Sequence, residues 1–84
     1  MAKLVTVVEA SYVSGYRLRL CFSDGVERTV DFSPWLRGSV FEPLREMRAF
    51  KKFFVAGGTV CWPNGADIAP ETLRASEDAA VSVA

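Results

Sequence analysis

The side chains able to do chemistry in this sequence are carboxylates, two thiols and a scatter of arginines and lysines, because the chain holds no histidine. Their most crowded setting is Cys61 to Pro70, CWPNGADIAP, where Trp62, Pro63, Asn64, Gly65 and Asp67 precede Pro70 and Glu71. Asp67 beside Glu71 or Glu42 would be an arrangement for general acid–base work, since neighbouring carboxylates split their pKa values. That chemistry also wants a nucleophile or a metal. The nearby thiol, Cys61, has no histidine anywhere to activate it. Cys21 and Cys61 lack a C-x-x-C spacing, so a zinc site misses most of its usual ligands. The sequence therefore assigns no catalytic residue, no metal ligand and no cofactor, and both thiols read as reduced and buried or half-buried.

The same stretch has a structural reading, which the residues favour. Pro63 cannot donate to a ladder, so a strand ending at Trp62 stops there or runs along an edge. Asn64-Gly65 supplies a tight turn. Asp67 then stands where its carboxylate can accept from backbone amides of the turn or of the helix opening at Pro70, with Glu71 in that helix's first turn. Trp62 adds an apolar plate and Ile68 re-enters the core. Taken together, Trp62, Pro63, Asn64, Gly65, Asp67, Pro70 and Glu71 form a clasp; the alternative is a ligand-binding loop assisted by Arg37, Arg45 or nearby lysines.

The elements that position this stretch are legible in the periodicities. Leu4, Thr6, Val8, Ala10 and Tyr12 alternate along a first strand, Tyr16, Leu18, Leu20 and Phe22 along a second, and Val26, Arg28, Val30 and Phe32 along a third. A three-residue loop at Ser23 to Gly25 sets Phe22 by Val26, Leu18 by Val30 and Tyr16 by Phe32, with Gly25 left-handed. The same construction ending at Gly15 sets Val8 opposite Leu20 and Ala10 opposite Leu18. The opposite face then pairs Glu9 with Arg19 and Arg17 with Asp31, which argues for a solvated surface rather than a phosphate site. Arg28 points to the apolar face, its stem packed and its head reaching solvent.

Beyond the meander, Ser33 reads as an N-cap, Pro34 as the first helical residue and Gly38 as the stop of a short helix. EPLREMRAFKKFF predicts a second helix with Leu44, Met47, Phe50 and Phe54 on one stripe. FFVAGGTVCW predicts a hairpin about Gly57-Gly58, with Val55 opposing Val60 and Phe53 opposing Trp62. A short helix begins at Pro70, and residues 77–84 read as a flexible tail. The fold class is α+β: an antiparallel three-stranded meander, short helices, a second β-hairpin and a C-terminal short helix in a two-layer domain over residues 1–76.

An 84-residue chain has room for one such domain. Half of its residues are hydrophobic, a surplus that points to apolar surface kept for a partner or a second copy. Ten basic and ten acidic side chains cancel, which disfavours direct nucleic-acid binding. Neither a signal peptide nor an apolar run long enough for a membrane is present, so a cytoplasmic protein is expected.

Several of these residues recur in a known order. Phe22, Asp24 and Gly25, then Val30 and Asp31, Pro43 and Leu44, Phe50, and finally Trp62-Pro63-Asn64-Gly65-x-Asp67-Ile68-x-Pro70-Glu71-x-Leu73 resemble a small bacterial domain of unknown function, family two-four-four-two. The resemblance covers about residues 3 to 75, and its last motif is the specific one. It implies a compact α+β domain without an established activity, found alone or fused to a helix-turn-helix DNA-binding domain. The resemblance also implies, for stand-alone members, a place beside another small uncharacterised protein in an arrangement resembling a toxin–antitoxin pair. This chain ends soon after its last helix, so direct DNA binding through such a fusion is not expected, and Arg74 stands where many relatives carry an aromatic residue. The function expected is a non-catalytic protein-interaction or regulatory module, an antitoxin-like member of such a pair; the alternative is a small-ligand or nucleic-acid-associated regulatory domain using Trp62 to Asp67.

Overall fold

The alternation of the first third becomes a three-stranded antiparallel sheet in the computed structural model, which describes residues 5–76. β1 (Val7–Ser14), β2 (Arg17–Phe22) and β3 (Glu27–Asp31) lie in the order β1-β2-β3. The β2–β3 register is the expected one, with Leu18 opposite Val30 and Arg17 opposite Asp31. Its loop closes through the Phe22 N–H to the Val26 carbonyl and a left-handed Gly25 at φ 88°, and the Asp24 carboxylate accepts from the Val26 N–H. An aspartate in that loop satisfies an amide the turn would otherwise orphan.

β1 departs from the expected register. Ala10 faces Leu20 and Tyr12 faces Leu18, with irregularities between Val7 and Glu9 and between Tyr12 and Ser14. Each irregularity inserts one extra residue, so Val7 takes the buried place opposite Phe22, whereas Val8 and Val13 are turned outward. The predicted Val8–Leu20 pairing is thereby replaced. Arg19 sits opposite Ser11 and Thr29 rather than Glu9, and its guanidinium pairs with Glu27. Leu4 and the expected tail at 77–84 lie outside the described residues.

After β3, the Asp31 carboxylate accepts from both the Ser33 N–H and its hydroxyl, so Asp31 rather than Ser33 organises the 3-10 turn Ser33–Trp35. Gly38, at φ 84°, opens α1 (Gly38–Phe41) instead of closing a helix. The single predicted helix over EPLREMRAFKKFF is broken into a 3-10 turn, Glu42–Arg45, and α2 (Met47–Phe50), because Glu46 is extended and caps α2 by accepting from the Arg48 N–H. Leu44 and Phe50 are buried as the stripe requires, but Phe54 has left it for the hairpin of β4 (Phe54–Ala56) and β5 (Thr59–Cys61). That hairpin has Val55 opposite Val60 and both glycines of its turn left-handed. α3 (Pro70–Ala75) completes the α+β domain.

One face of the sheet is covered by these pieces. Leu18, Leu20, Phe22 and Val30 from the sheet and Phe32 just after it meet Leu44, Phe50, Val60, Trp62 and Leu73 in a single core. Phe32, Phe50 and Trp62 form its aromatic centre, with the Phe32 and Trp62 rings 5.7 Å apart edge to face. The hairpin is joined to β1 at Val7, whose N–H donates to the Gly58 carbonyl at 2.8 Å. A Cβ on Gly58 would lie 2.9 Å from Thr6 Cγ2, so this contact requires glycine twice over, for space and for its φ of +80°. Among the described residues no helix is long and apolar enough to cross a membrane.

Candidate functional site

The motif around Trp62 is built as a hairpin extension that reverses at once. The Trp62 N–H donates to the Ala66 carbonyl, the Gly65 N–H donates to the Trp62 carbonyl, and Gly65 is left-handed at φ 91°. Pro63 therefore occupies the turn position where no ladder donor is needed. Trp62 is buried, and its indole N–H donates to the Phe50 carbonyl at 2.8 Å, tying the loop to the end of α2. A buried indole needs such a partner.

Asn64 holds the loop with both ends of its amide. Its Oδ1 accepts from the Ala66 N–H at 3.1 Å and its Nδ2 donates to the Val40 carbonyl at 2.9 Å, reaching across to α1. Asp67 does not share this work. It forms an isolated backbone bridge with Cys61, its side chain is exposed, and its carboxylate accepts no hydrogen bond among the described residues. The amide-capping acceptor expected at Asp67 is thus Asn64, for which the Asn-Gly pair was a sufficient signal, since an asparagine two residues before an amide can close an Asx turn. Pro70 and Glu71 lie where expected, at the start of α3, but the cap position is Ala69 and no side chain caps the helix.

Among the described residues, Cys21 shares a surface pocket with Glu9, Arg19 and Glu27, and no group of three or more carboxylates and thiols could hold a metal ion. Burial first, then the carboxylates of Glu27 and Glu9, push the Cys21 thiol up, which leaves it protonated rather than nucleophilic. The Cys61 thiol points to the Ala56 and Thr59 carbonyls. Asp24 is held below the ordinary aspartate range, chiefly by the Val26 amide and further by Arg74, whose Nε lies 3.0 Å from its carboxylate. Arg28 differs from expectation: its head turns to the Ser76 carbonyl at 3.3 Å, and its Nε is buried without a partner among the described residues.

Two surfaces stand out beside the motif. One is apolar and lies along β1 and β4, which pack against each other. Of the large hydrophobic side chains exposed among the described residues, Val8, Tyr12, Val13, Phe54 and Val55 all belong to these two strands, leaving only Val40 elsewhere. Val8 and Val13 are 58% and 47% exposed because the two irregularities of β1 eject them. The sequence signal was there in the apolar doublets Val7-Val8, Tyr12-Val13 and Phe53-Phe54, since one member of each must leave the core face of an alternating strand. The other surface is a pocket at the clasp, lined by Pro43, Leu44, Ala49, Lys52, Pro63 and Asn64.

A meander closed by short helices and a hairpin, with a locked Trp-Pro-Asn-Gly turn, defines a small α+β domain held by one aromatic core. Within that class the chain belongs to the family described as "Protein of unknown function (DUF2442)", whose model matches residues 7–79. No curated protein and no solved structure matches it.

Proposed function

We propose that the chain is a non-catalytic protein-interaction module whose partner covers the β1–β4 side. The observation that carries this is the ejection of Val8 and Val13 from β1 beside Phe54 and Val55 of β4, which gathers all the exposed large apolar side chains of the described residues except Val40 onto neighbouring strands. Bulges conserve a strand while re-aiming its side chains, and they also discourage indiscriminate pairing along an edge. Contact through ejected side chains accordingly favours a specific partner over strand addition. Apolar rims of this kind mark protein contacts more often than small-molecule sites. In the setting the family resemblance implies, the partner is the other member of a toxin–antitoxin-type pair in the bacterial cytoplasm.

The test is recovery of a stoichiometric partner from the native host with Val13→Lys, Phe54→Lys and a Thr72→Lys control on α3. Each variant is first checked for a native circular-dichroism spectrum. Loss of the partner with the first two and retention with the third is expected. Equal retention by all three would overturn the proposal. Light scattering on the same variants shows whether the partner is a second copy of the chain.

A further inference from the structure

From the clasp pocket and the charges around it we infer a second contact site, for an acidic segment of a partner protein that carries one aliphatic anchor side chain. This rests on the reading of the chain as an interaction module, and it uses no residue of the β1–β4 rim. The pocket, which is open to solvent, has a volume of about 130 Å³, room for one aliphatic side chain. Leu44 forms a buried floor, with Pro43, Ala49 and Pro63 as carbon walls. Asn64 is held in place at the rim, one N–H of its amide donating to the Val40 carbonyl and its Oδ1 accepting from the Ala66 N–H. The walls offer a polar ligand little beyond the Lys52 ammonium, whereas an apolar side chain would lose its water shell against carbon.

The charge around this pocket decides what flanks the anchor. Residues 37–52 hold Arg37, Arg45, Arg48, Lys51 and Lys52 against Glu42 and Glu46, a local excess of three positive charges in a chain of zero net charge. All five cations are exposed, and the ion pairs among the described residues, Arg19–Glu27 and Arg74–Asp24, involve none of them. Lys52 lines the pocket itself; in sequence Arg45 follows Leu44 and Arg48 precedes Ala49, against the single acid Glu42 before Pro43. Lys51 is engaged over the Tyr12 ring, which leaves Lys52 at the pocket, with Arg45 and Arg48 next to lining residues in sequence, as the cations that complement an anionic chain with a hydrophobic anchor. A nucleic acid fits less well, because no aromatic face lines the pocket for base stacking and the remainder of the chain is net negative.

The test uses the full chain and a fluorescein-labelled acidic heptapeptide of Asp and Glu with a central Leu, followed by fluorescence anisotropy. Its controls are the same peptide with Ala at the centre and a labelled single-stranded oligonucleotide. Saturable binding that weakens about tenfold or more for the Ala peptide is expected, since burying the anchor supplies most of the specificity. Ala49→Met, which fills the pocket, should abolish the difference between the two peptides, and Arg48→Glu with Lys52→Glu should remove binding of both. Equal affinity for the two peptides, preference for the oligonucleotide, or no binding would overturn the inference. The Val13→Lys and Phe54→Lys variants should bind the peptide normally, so failure here and failure at the rim are read separately.

Discussion

Replacing Asn64 and Asp67 separately decides which residue fastens the clasp. Asn64→Ala removes one acceptor, for the Ala66 N–H, and one donor, to the Val40 carbonyl. Asn64 does not have a positive φ, so alanine brings no backbone penalty. Each neutral hydrogen bond contributes about 0.5–1.5 kcal/mol, and at an exposed site the pair sums to about 1–2 kcal/mol. For a domain of this size that lowers Tm by roughly 5–15 °C. Asp67→Ala removes an exposed carboxylate without a bonded partner among the described residues, so its effect should stay within about 0.5 kcal/mol. Asn64→Asp keeps the acceptor and loses the donor, and its loss should fall between the two. Urea denaturation followed by tryptophan fluorescence measures all three, the m-value showing whether unfolding stays two-state. A larger loss for Asp67→Ala than for Asn64→Ala would refute the reasoning.

Further outcomes follow from other contacts. Gly58→Ala should destabilise by about 1–3 kcal/mol through its left-handed φ and the approach to Thr6 Cγ2, and Thr6→Ser should recover the steric part only, as read by a double-mutant cycle in urea. Arg28→Met keeps the packed stem and removes a buried Nε without a partner, so thermal unfolding should show a neutral or raised Tm despite the lost contact to Ser76. The lowered pKa of Asp24 means that its contribution is present above the unfolded aspartate value of about 3.9 and is lost as pH falls through the folded value. The stability difference between the parent and Asp24→Asn should therefore be constant near neutrality and shrink in acid; a difference growing as pH falls would contradict the Asp24–Arg74 geometry.

What the sequence reveals about this fold depends on whether local chemistry and periodicity agree. At Ser23 to Gly25 they do, since Asp24 caps the turn and Gly25 supplies the left-handed residue, and the β2–β3 register followed directly. In β1 the doublets Val7-Val8 and Tyr12-Val13 each conceal an inserted residue, and simple alternation misplaced Val8 because a doublet does not say which of its members the bulge ejects. The helical stripe through Leu44, Met47 and Phe50 was sound for burial but not for continuity, because Glu46 breaks the helix to cap the next one. The turn at Trp62 to Gly65 was evident from Pro63 and Gly65. The Asx contact of Asn64 to the Ala66 N–H is local and readable from the Asn-Gly pair, but its second hold is not, because the Val40 carbonyl lies 24 positions away and only the tertiary fold brings it there.

Amide hydrogen exchange, compared between the free protein and its complex with the native-host partner, tests the interaction account most directly. Slowed exchange concentrated in Val8–Ser14 and Phe54–Ala56 is the predicted result. Protection confined to β3 and α3, with β1 and β4 exchanging as in the free protein, would contradict it.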